Sequence, residues 1–333
     1  MDLGNTTDNH TSLYPWSWLE VNSYDPPLTR DANKTEKVLW GSKIQQAPPT
    51  VAYEEVMAGD AGLYKWLSNI DRSGFSFVSG VPPTPEATEE LSERIGFIRE
   101  TQYGRFWSFT SDLAKGDMAY TTIALGAHTD NTYFTDPCGL QLFHLLEHTG
   151  GTGGATLLVD GFYAASILRE LNPEAYRLLS EVPIPAHAAG EPTSFYRPTP
   201  ASGYPVFGHD KLTRDLTQVR WNNDNRSVMS HLEAGSVEKW YEAIRLWNKC
   251  LTSSDSEYWV QLQPGTVVVV DNHRVLHGRS AFDGKRRMCG AYIGVDEYRS
   301  KFAVLSEQFA PDPVLKAIPD AVVNGRNIWN AAL

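Results

Sequence analysis

At 333 residues, with 41% hydrophobic and 21% charged side chains, the chain is long enough to bury a large core in one large domain or two modest ones. A formal net charge of -11 argues against a nucleic-acid partner, whose phosphates call for a basic face. No run approaches the roughly 18 to 20 apolar residues that a membrane span needs, so no membrane partner is expected.

The three cysteines, Cys138, Cys250 and Cys289, are widely spaced and form neither a disulfide framework nor a zinc-type CxxC pair. They predict a reducing compartment. The opening segment MDLGNTTDNHTSL lacks the patterns of a signal or transit peptide, and the expected location is cytoplasmic. Residues 1–48 are rich in Asn, Thr, Asp and Pro, with Tyr14, Trp16, Trp18 and Trp40 interspersed, and read as an extended arm. The globular part is expected over residues 49–310, followed by a tail over 311–333.

FSFV (75–78) reads as a first strand. Thr84-Pro85-Glu86 is a helix start: a capping hydroxyl, proline at the first helical position and an acid near the positive helix end. Leu91, Ile95 and Ile98 then recur at helical spacing. TTIAL (121–125), GLQLFHLL (139–146) and ATLLVD (155–160) read as further strands. Asn172-Pro173-Glu174 repeats the start signal, with Leu178 and Leu179 facing inward, and Ser236 opens a helix in which Trp240, Ile244, Trp247 and Leu251 share a face. TVVVVD (266–271) and MCGAYIGV (288–295) complete the strands. Many short strands divided by Gly- and Pro-rich turns, without βαβ alternation, predict a mainly β fold with flanking helices, best fitted by a closed jelly roll.

Among nine histidines, His128 alone heads an HxD pattern, His128-Thr129-Asp130. On a strand, positions i and i+2 point to the same face. Two imidazoles and one carboxylate on one side of a metal leave the other side open, which suits a non-haem Fe(II) that must also bind a cosubstrate and O2. A His and an Asp on a loop without metal is the plainer reading of the tripeptide. Spacing does not choose the third group. His273 and His277, in VVVVDNHRVLHGR, share parity, and His144, His148, His187, His209 and His231 are further candidates.

IRETQYGRFWSFTSD, GDMAYTTIALGAHTDNTYF, TGGATLLVDGFYAA, DNHRVLHGRSAF and RRMCGAYIGV are spread over residues 50–305. Together they resemble the TauD-type Fe(II)/2-oxoglutarate oxygenases, and within them the γ-butyrobetaine hydroxylase family. The resemblance implies a double-stranded β-helix (jelly-roll) oxygenase core, with His128, Asp130 and His277 as iron ligands. It implies 2-oxoglutarate as cosubstrate, gripped at its distal carboxylate by the planar fork of Arg286 with support from the Thr156 hydroxyl, and ascorbate as a supporting reductant.

The same resemblance implies a small-molecule substrate with a trimethylammonium head. Such a head donates no hydrogen bond and is recognised by aromatic faces, here Tyr103, Trp107, Tyr120 and Tyr292. Asp117 would pair with an α-ammonium group, and Asn222 would meet the carboxylate end. The implied reaction is C3 hydroxylation of N6,N6,N6-trimethyl-L-lysine, the first step of carnitine biosynthesis, giving succinate and CO2. Hydroxylation of γ-butyrobetaine and a catalytically impaired trimethylammonium-binding homologue are the alternatives.

Two departures from the relatives stand out. His273 occupies a position where they usually carry tryptophan. Their N-terminal zinc-binding domain with clustered cysteines is missing, so residues 1–48 read as its remnant. That second departure leaves a homodimer and a mitochondrial location as open expectations.

Overall fold

A computed structural model describes residues 37–110, 121–188, 198–200 and 202–309, together with Trp16 and Leu19. Lys37–Val304 form one compact unit; Met1–Glu36 and Leu305–Leu333 are grouped apart from it and fall almost entirely outside the described set.

Twelve strands are described: β1 (Thr50–Ala52), β2 (Phe75–Ser79), β3 (Phe106–Thr110), β4 (Leu125–His128), β5 (Leu140–Thr149), β6 (Thr156–Asp160), β7 (Phe207–His209), β8 (Leu216–Val219), β9 (Tyr258–Val260), β10 (Thr266–Asp271), β11 (Val275–Arg279) and β12 (Lys285–Ile293). The helices are α1 (Tyr53–Ala58), α2 (Asp60–Ser73), α3 (Pro85–Ile95), α4 (Gly161–Leu171), α5 (Pro173–Glu181), α6 (Ala234–Leu251) and α7 (Val295–Phe309). A large sheet runs β1-β2-β10-β5-β12-β3 and a small one β4-β11-β6-β9, with β7-β8 as a separate ribbon. Apart from the parallel β1–β2 pair, neighbours are antiparallel. This is a double-stranded β-helix, the jelly roll expected from the strand pattern.

Strand alternation sorts the side chains into two cores. Leu158 of β6, Val275 of β11, Leu145 of β5, Val268 and Val270 of β10 and Met288 and Tyr292 of β12 pack together between the two sheets. Leu157 and Val159 of β6 and Leu276 of β11 face the other way. They meet Leu168 of α4, Leu179 of α5 and Trp240, Trp247 and Leu251 of α6. His277 and Arg279 therefore share the interior parity of Val275.

Local chemistry fixes the helix starts. The Thr84 hydroxyl accepts from Ala87 N at 3.3 Å and the Asn172 side chain from Ala175 N at 2.9 Å, each ahead of a proline at the first turn. Helix α6 opens at Ala234 after Glu233, two residues before the expected Ser236. Ile98 lies beyond α3 and pairs with Ile293. The strand expected at 121–125 begins only at Leu125. The carbonyls of Thr121 and Ile123 accept from the Arg279 guanidinium, at 2.6 and 3.0 Å, outside any named strand.

One buried ion pair ties the two ends of β6 and β11 to the N-terminal elements. Asp160, fully buried, accepts from Arg274 Nε and Nη2 at 3.0 and 2.7 Å, from Phe162 N at 3.0 Å and from Trp40 N at 3.1 Å. Arg274 also donates to the carbonyls of Arg72 and Val38. Removing one member leaves the other charge buried without its partner. Asp160→Ala should therefore lower the unfolding free energy by about 3 to 5 kcal/mol in urea titrations, and a loss below about 1 kcal/mol, the scale of a surface pair, would contradict this.

Candidate active site

Strand β4 pairs with β11 so that His128 stands opposite His277, and their ring centroids lie 4.4 Å apart. Thr129 turns to the opposite face, where its hydroxyl accepts from Trp221 N at 3.0 Å, so His128 and Asp130 return to the interior side. Asp130 Oδ1 lies 3.4 Å from His128 Nε2 and 3.9 Å from His277 Nε2. One ligand atom from each of His128, Asp130 and His277 falls within 4.8 Å of the other two, the only such group among the described residues.

The surroundings fix the orientation of these groups. His128 Nδ1 donates to the Gly126 carbonyl at 2.8 Å, leaving Nε2 to face the site. Asp130 Oδ2 accepts from Gln141 Nε2 at 2.6 Å and from the Tyr292 hydroxyl at 2.9 Å. The Asn272 side chain grips the Asp130 backbone reciprocally: Oδ1 accepts from Asp130 N at 2.8 Å and Nδ2 donates to Asp130 O at 3.0 Å. Burial raises the Asp130 carboxyl. The hydrogen bond from His128, the neighbouring imidazoles and the hydrogen bond from Tyr292 outweigh it and hold the group well below the usual carboxylate range. Burial, reinforced by the charge of His128, pushes His277 down to about 3, so its imidazole is neutral near pH 7, as a metal requires. Two imidazole nitrogens and one carboxylate oxygen converging from one side are a donor set that fits Fe(II).

Among the described residues, the remaining histidines are engaged elsewhere or lie outside this group. His273 sits on the tight turn between β10 and β11, with its backbone N on Asp271 Oδ1 and its Nε2 donating to the Pro137 carbonyl at 3.3 Å. It does not join the cluster. His144 bonds Thr88 and Gly265, His148 the Asp283 carbonyl, His187 Ser227, and His209 Tyr176.

Alternation along β12 buries Arg286 and exposes Arg287. The Arg286 Nε is buried with no hydrogen-bond partner, and no carboxylate lies within ion-pair distance among the described residues. Burial, aided by the charge of Arg279, lowers its pKa to about 10, and it remains a cation at neutral pH. A buried charge without a counterion is costly unless a ligand supplies one. Arg286 and Arg279 flank the Phe282 ring, with guanidinium carbons 5.4 and 4.8 Å from its centroid. Thr156, also buried, is the backbone partner of Arg279. Gly154 must stay bare, since it holds φ +69° and a Cβ there would lie 3.2 Å from Arg286 Nε.

Trp107 on β3 lies with its ring centroid 6.5 Å from Tyr292 and 6.0 Å from Phe143, whose own ring is 4.9 Å from His277. Tyr103 packs against the same cluster. Trp107 crosses Gly290, where a Cβ would come within 2.4 Å of its ring. The Asn222 Oδ1 accepts from Asp224 N at 3.0 Å, and Asn222 follows Trp221, whose carbonyl accepts from Thr129 N at 2.7 Å. It lines a cavity of about 20 Å³ with Thr132 and Arg220. Asp117 and Tyr120 lie outside the described residues. Sequence reasoning missed Gln141, Asn272, Phe143 and Arg279. Asn272 and Arg279 flank His277 in DNHRVLHGR, and Gln141 and Phe143 lie in the expected strand GLQLFHLL, but nothing in the sequence marked their roles.

The family model "Taurine catabolism dioxygenase TauD, TfdA family" matches residues 35–292. The chain belongs to that family. A trimethyllysine dioxygenase of Neurospora crassa is 45% identical, over 89% of this chain and 69% of its own length. The mitochondrial trimethyllysine dioxygenase of Homo sapiens is 42% identical, over 90% of this chain and 71% of its own. The human gamma-butyrobetaine dioxygenase is more distant, at 28% identity over 90% and 78%. Among solved structures, the non-heme iron oxygenase OrfP shares the fold, with a TM-score of 0.55 and 15% identity over 76% of this chain and 96% of its own.

The cluster contains His277 and not His273, which predicts different effects for the two histidines. His277→Ala should weaken Fe(II) binding by more than about 100-fold in anaerobic titrations, beyond the usual loss of a supporting partner, while His273→Ala stays within about threefold. The reverse order would contradict the geometry.

Proposed function

We propose that this chain hydroxylates N6,N6,N6-trimethyl-L-lysine at C3, using O2 and 2-oxoglutarate on an Fe(II) held by His128, Asp130 and His277. The observation that carries the substrate is the contrast among relatives: those named trimethyllysine dioxygenase are 41 to 45% identical, the gamma-butyrobetaine enzyme 28%. The site geometry supports the same chemistry. When bound, Fe(II) supplies the oxidation, in which 2-oxoglutarate and O2 become succinate, CO2 and the hydroxyl of the product.

The protein's own residues bind and orient. The Arg286 guanidinium, buried beside Phe282 without a counterion, takes the distal carboxylate of 2-oxoglutarate, and the Thr156 hydroxyl supports it. Tyr103, Trp107, Tyr120 and Tyr292 wall the trimethylammonium head, whose charge the ring faces attract at low desolvation cost. Asp117 pairs with the α-ammonium group and Asn222 meets the α-carboxylate. Holding both ends fixes C3 toward the metal, and that positioning is the protein's share of the rate. The name of the human relative supports a mitochondrial location, the alternative to the cytoplasmic expectation.

Succinate release with trimethyllysine and with γ-butyrobetaine, measured side by side, tests this reading. We expect kcat/KM to favour trimethyllysine by about 100-fold or more, because Asp117 is left unpaired by a substrate without an α-ammonium group. Equal turnover of the two would overturn the assignment, as would no substrate-dependent succinate at all. Trp107→Ala should raise KM for trimethyllysine by roughly tenfold or more, the scale of a desolvated cation–π contact. An unchanged KM would remove Trp107 from the cage.

A further inference from the structure

We propose that Gln141 and Tyr292 are a positioning pair that fixes which oxygen of Asp130 meets the metal, and that Tyr292 thereby joins the substrate cage to the metal carboxylate. The inference rests on the metal and cage assignments above and adds two roles to them.

A free carboxylate can offer either oxygen, or both, to a cation. Here Oδ2 is taken. Gln141 Nε2 stands 2.6 Å from it and the Tyr292 hydroxyl 2.9 Å, both in the range of strong bonds to a charged acceptor. Oδ1 is the oxygen turned toward the two imidazoles, at 3.4 and 3.9 Å. Asp130 is thus preset as a one-oxygen ligand.

The donors are well placed for this. Gln141 and Tyr292 are direct backbone partners on β5 and β12, in the middle of the large sheet, and both are buried. Asp130 follows β4 of the small sheet. The two bonds therefore cross the barrel and tie the carboxylate to the large sheet. Gln141 Nε2 also approaches the Tyr292 hydroxyl at 3.4 Å, so the two donors brace each other. The Gln141 Oε1 is buried with no partner among the described residues, which leaves the amide NH2 as the reason for its placement.

Tyr292 faces two ways. Its hydroxyl meets Asp130 while its ring stands 6.5 Å from that of Trp107 in the candidate cage. A trimethylammonium group seated against both rings contacts the side chain that holds the metal carboxylate. Linkage is reciprocal, so substrate should tighten the metal and the metal should tighten substrate.

Anaerobic Fe(II) titration of the full chain against a chelating indicator tests this. Tyr292→Phe and Gln141→Met should each weaken Fe(II) by about tenfold or more without substrate present. Trimethyllysine should tighten Fe(II) in the wild type and in Gln141→Met, but not in Tyr292→Phe, which keeps the ring and loses the hydroxyl. Fe(II) affinities within about twofold of wild type in both variants overturn the positioning role, even if their unfolding midpoints fall, since a merely structural role moves only the latter. Retained linkage in Tyr292→Phe overturns the connection to the cage. If trimethyllysine fails to alter the wild type while both variants lose Fe(II), the positioning role stands and the connection falls, and succinate release separately decides the substrate.

Discussion

The site depends on one backbone pairing, β4 against β11, with His128 opposite His277. Side chains alternate along a strand, so a slip of one residue would send His277 into the helix-covered face occupied by Leu276 and bring Leu276 into the interior. Several contacts guard the register. Asn272, on the turn that leads into β11, holds both the N–H and the carbonyl of Asp130. Thr129 and Trp221 exchange bonds on the other side of the same segment. Arg279, two residues past His277, holds the carbonyls of Thr121 and Ile123 ahead of β4. The ligand geometry is thus a consequence of sheet pairing, with side-chain locks at each end.

Two buried arginines on this scaffold show opposite electrostatic solutions. Arg274 meets Asp160 through two hydrogen bonds and spends its other donors on backbone carbonyls. Its charge is fully answered within the fold. Arg286 is equally buried but has no acid within reach among the described residues and leaves its Nε unpartnered. An unanswered buried cation destabilises a protein unless a ligand answers it. The contrast separates a guanidinium that serves the fold from one left open for an anion, the role proposed above for Arg286 toward the cosubstrate. The aromatic wall repeats the theme, because Tyr292 satisfies its hydroxyl on Asp130 and keeps its ring toward Trp107.

Features set by neighbouring residues were legible in the sequence. The helix starts at Thr84 and Asn172 depend on a cap and a proline a few positions apart, and both occur where the pattern put them. The jelly roll was readable from strand and turn punctuation. Boundaries set by distant groups were not: β4 starts at Leu125 because Arg279 captures the carbonyls before it. The choice between His273 and His277 could not be made by spacing, since both share strand parity. A tight turn, visible only in the fold, carries His273 to the Pro137 carbonyl. Gln141 gave no signal at all, because its role arises from a partner strand and a bond across the barrel.

On the proposed reading, three side chains, on β4, just after it and on β11, hold one Fe(II), and the buried Arg286 receives the cosubstrate. A crystal structure grown without oxygen in Fe(II) and 2-oxoglutarate tests it most directly. The account predicts iron bonded to His128 Nε2, one oxygen of Asp130 and His277 Nε2, with the far carboxylate of 2-oxoglutarate paired to Arg286. Iron held at His273, or a cosubstrate carboxylate that leaves Arg286 alone, would contradict it.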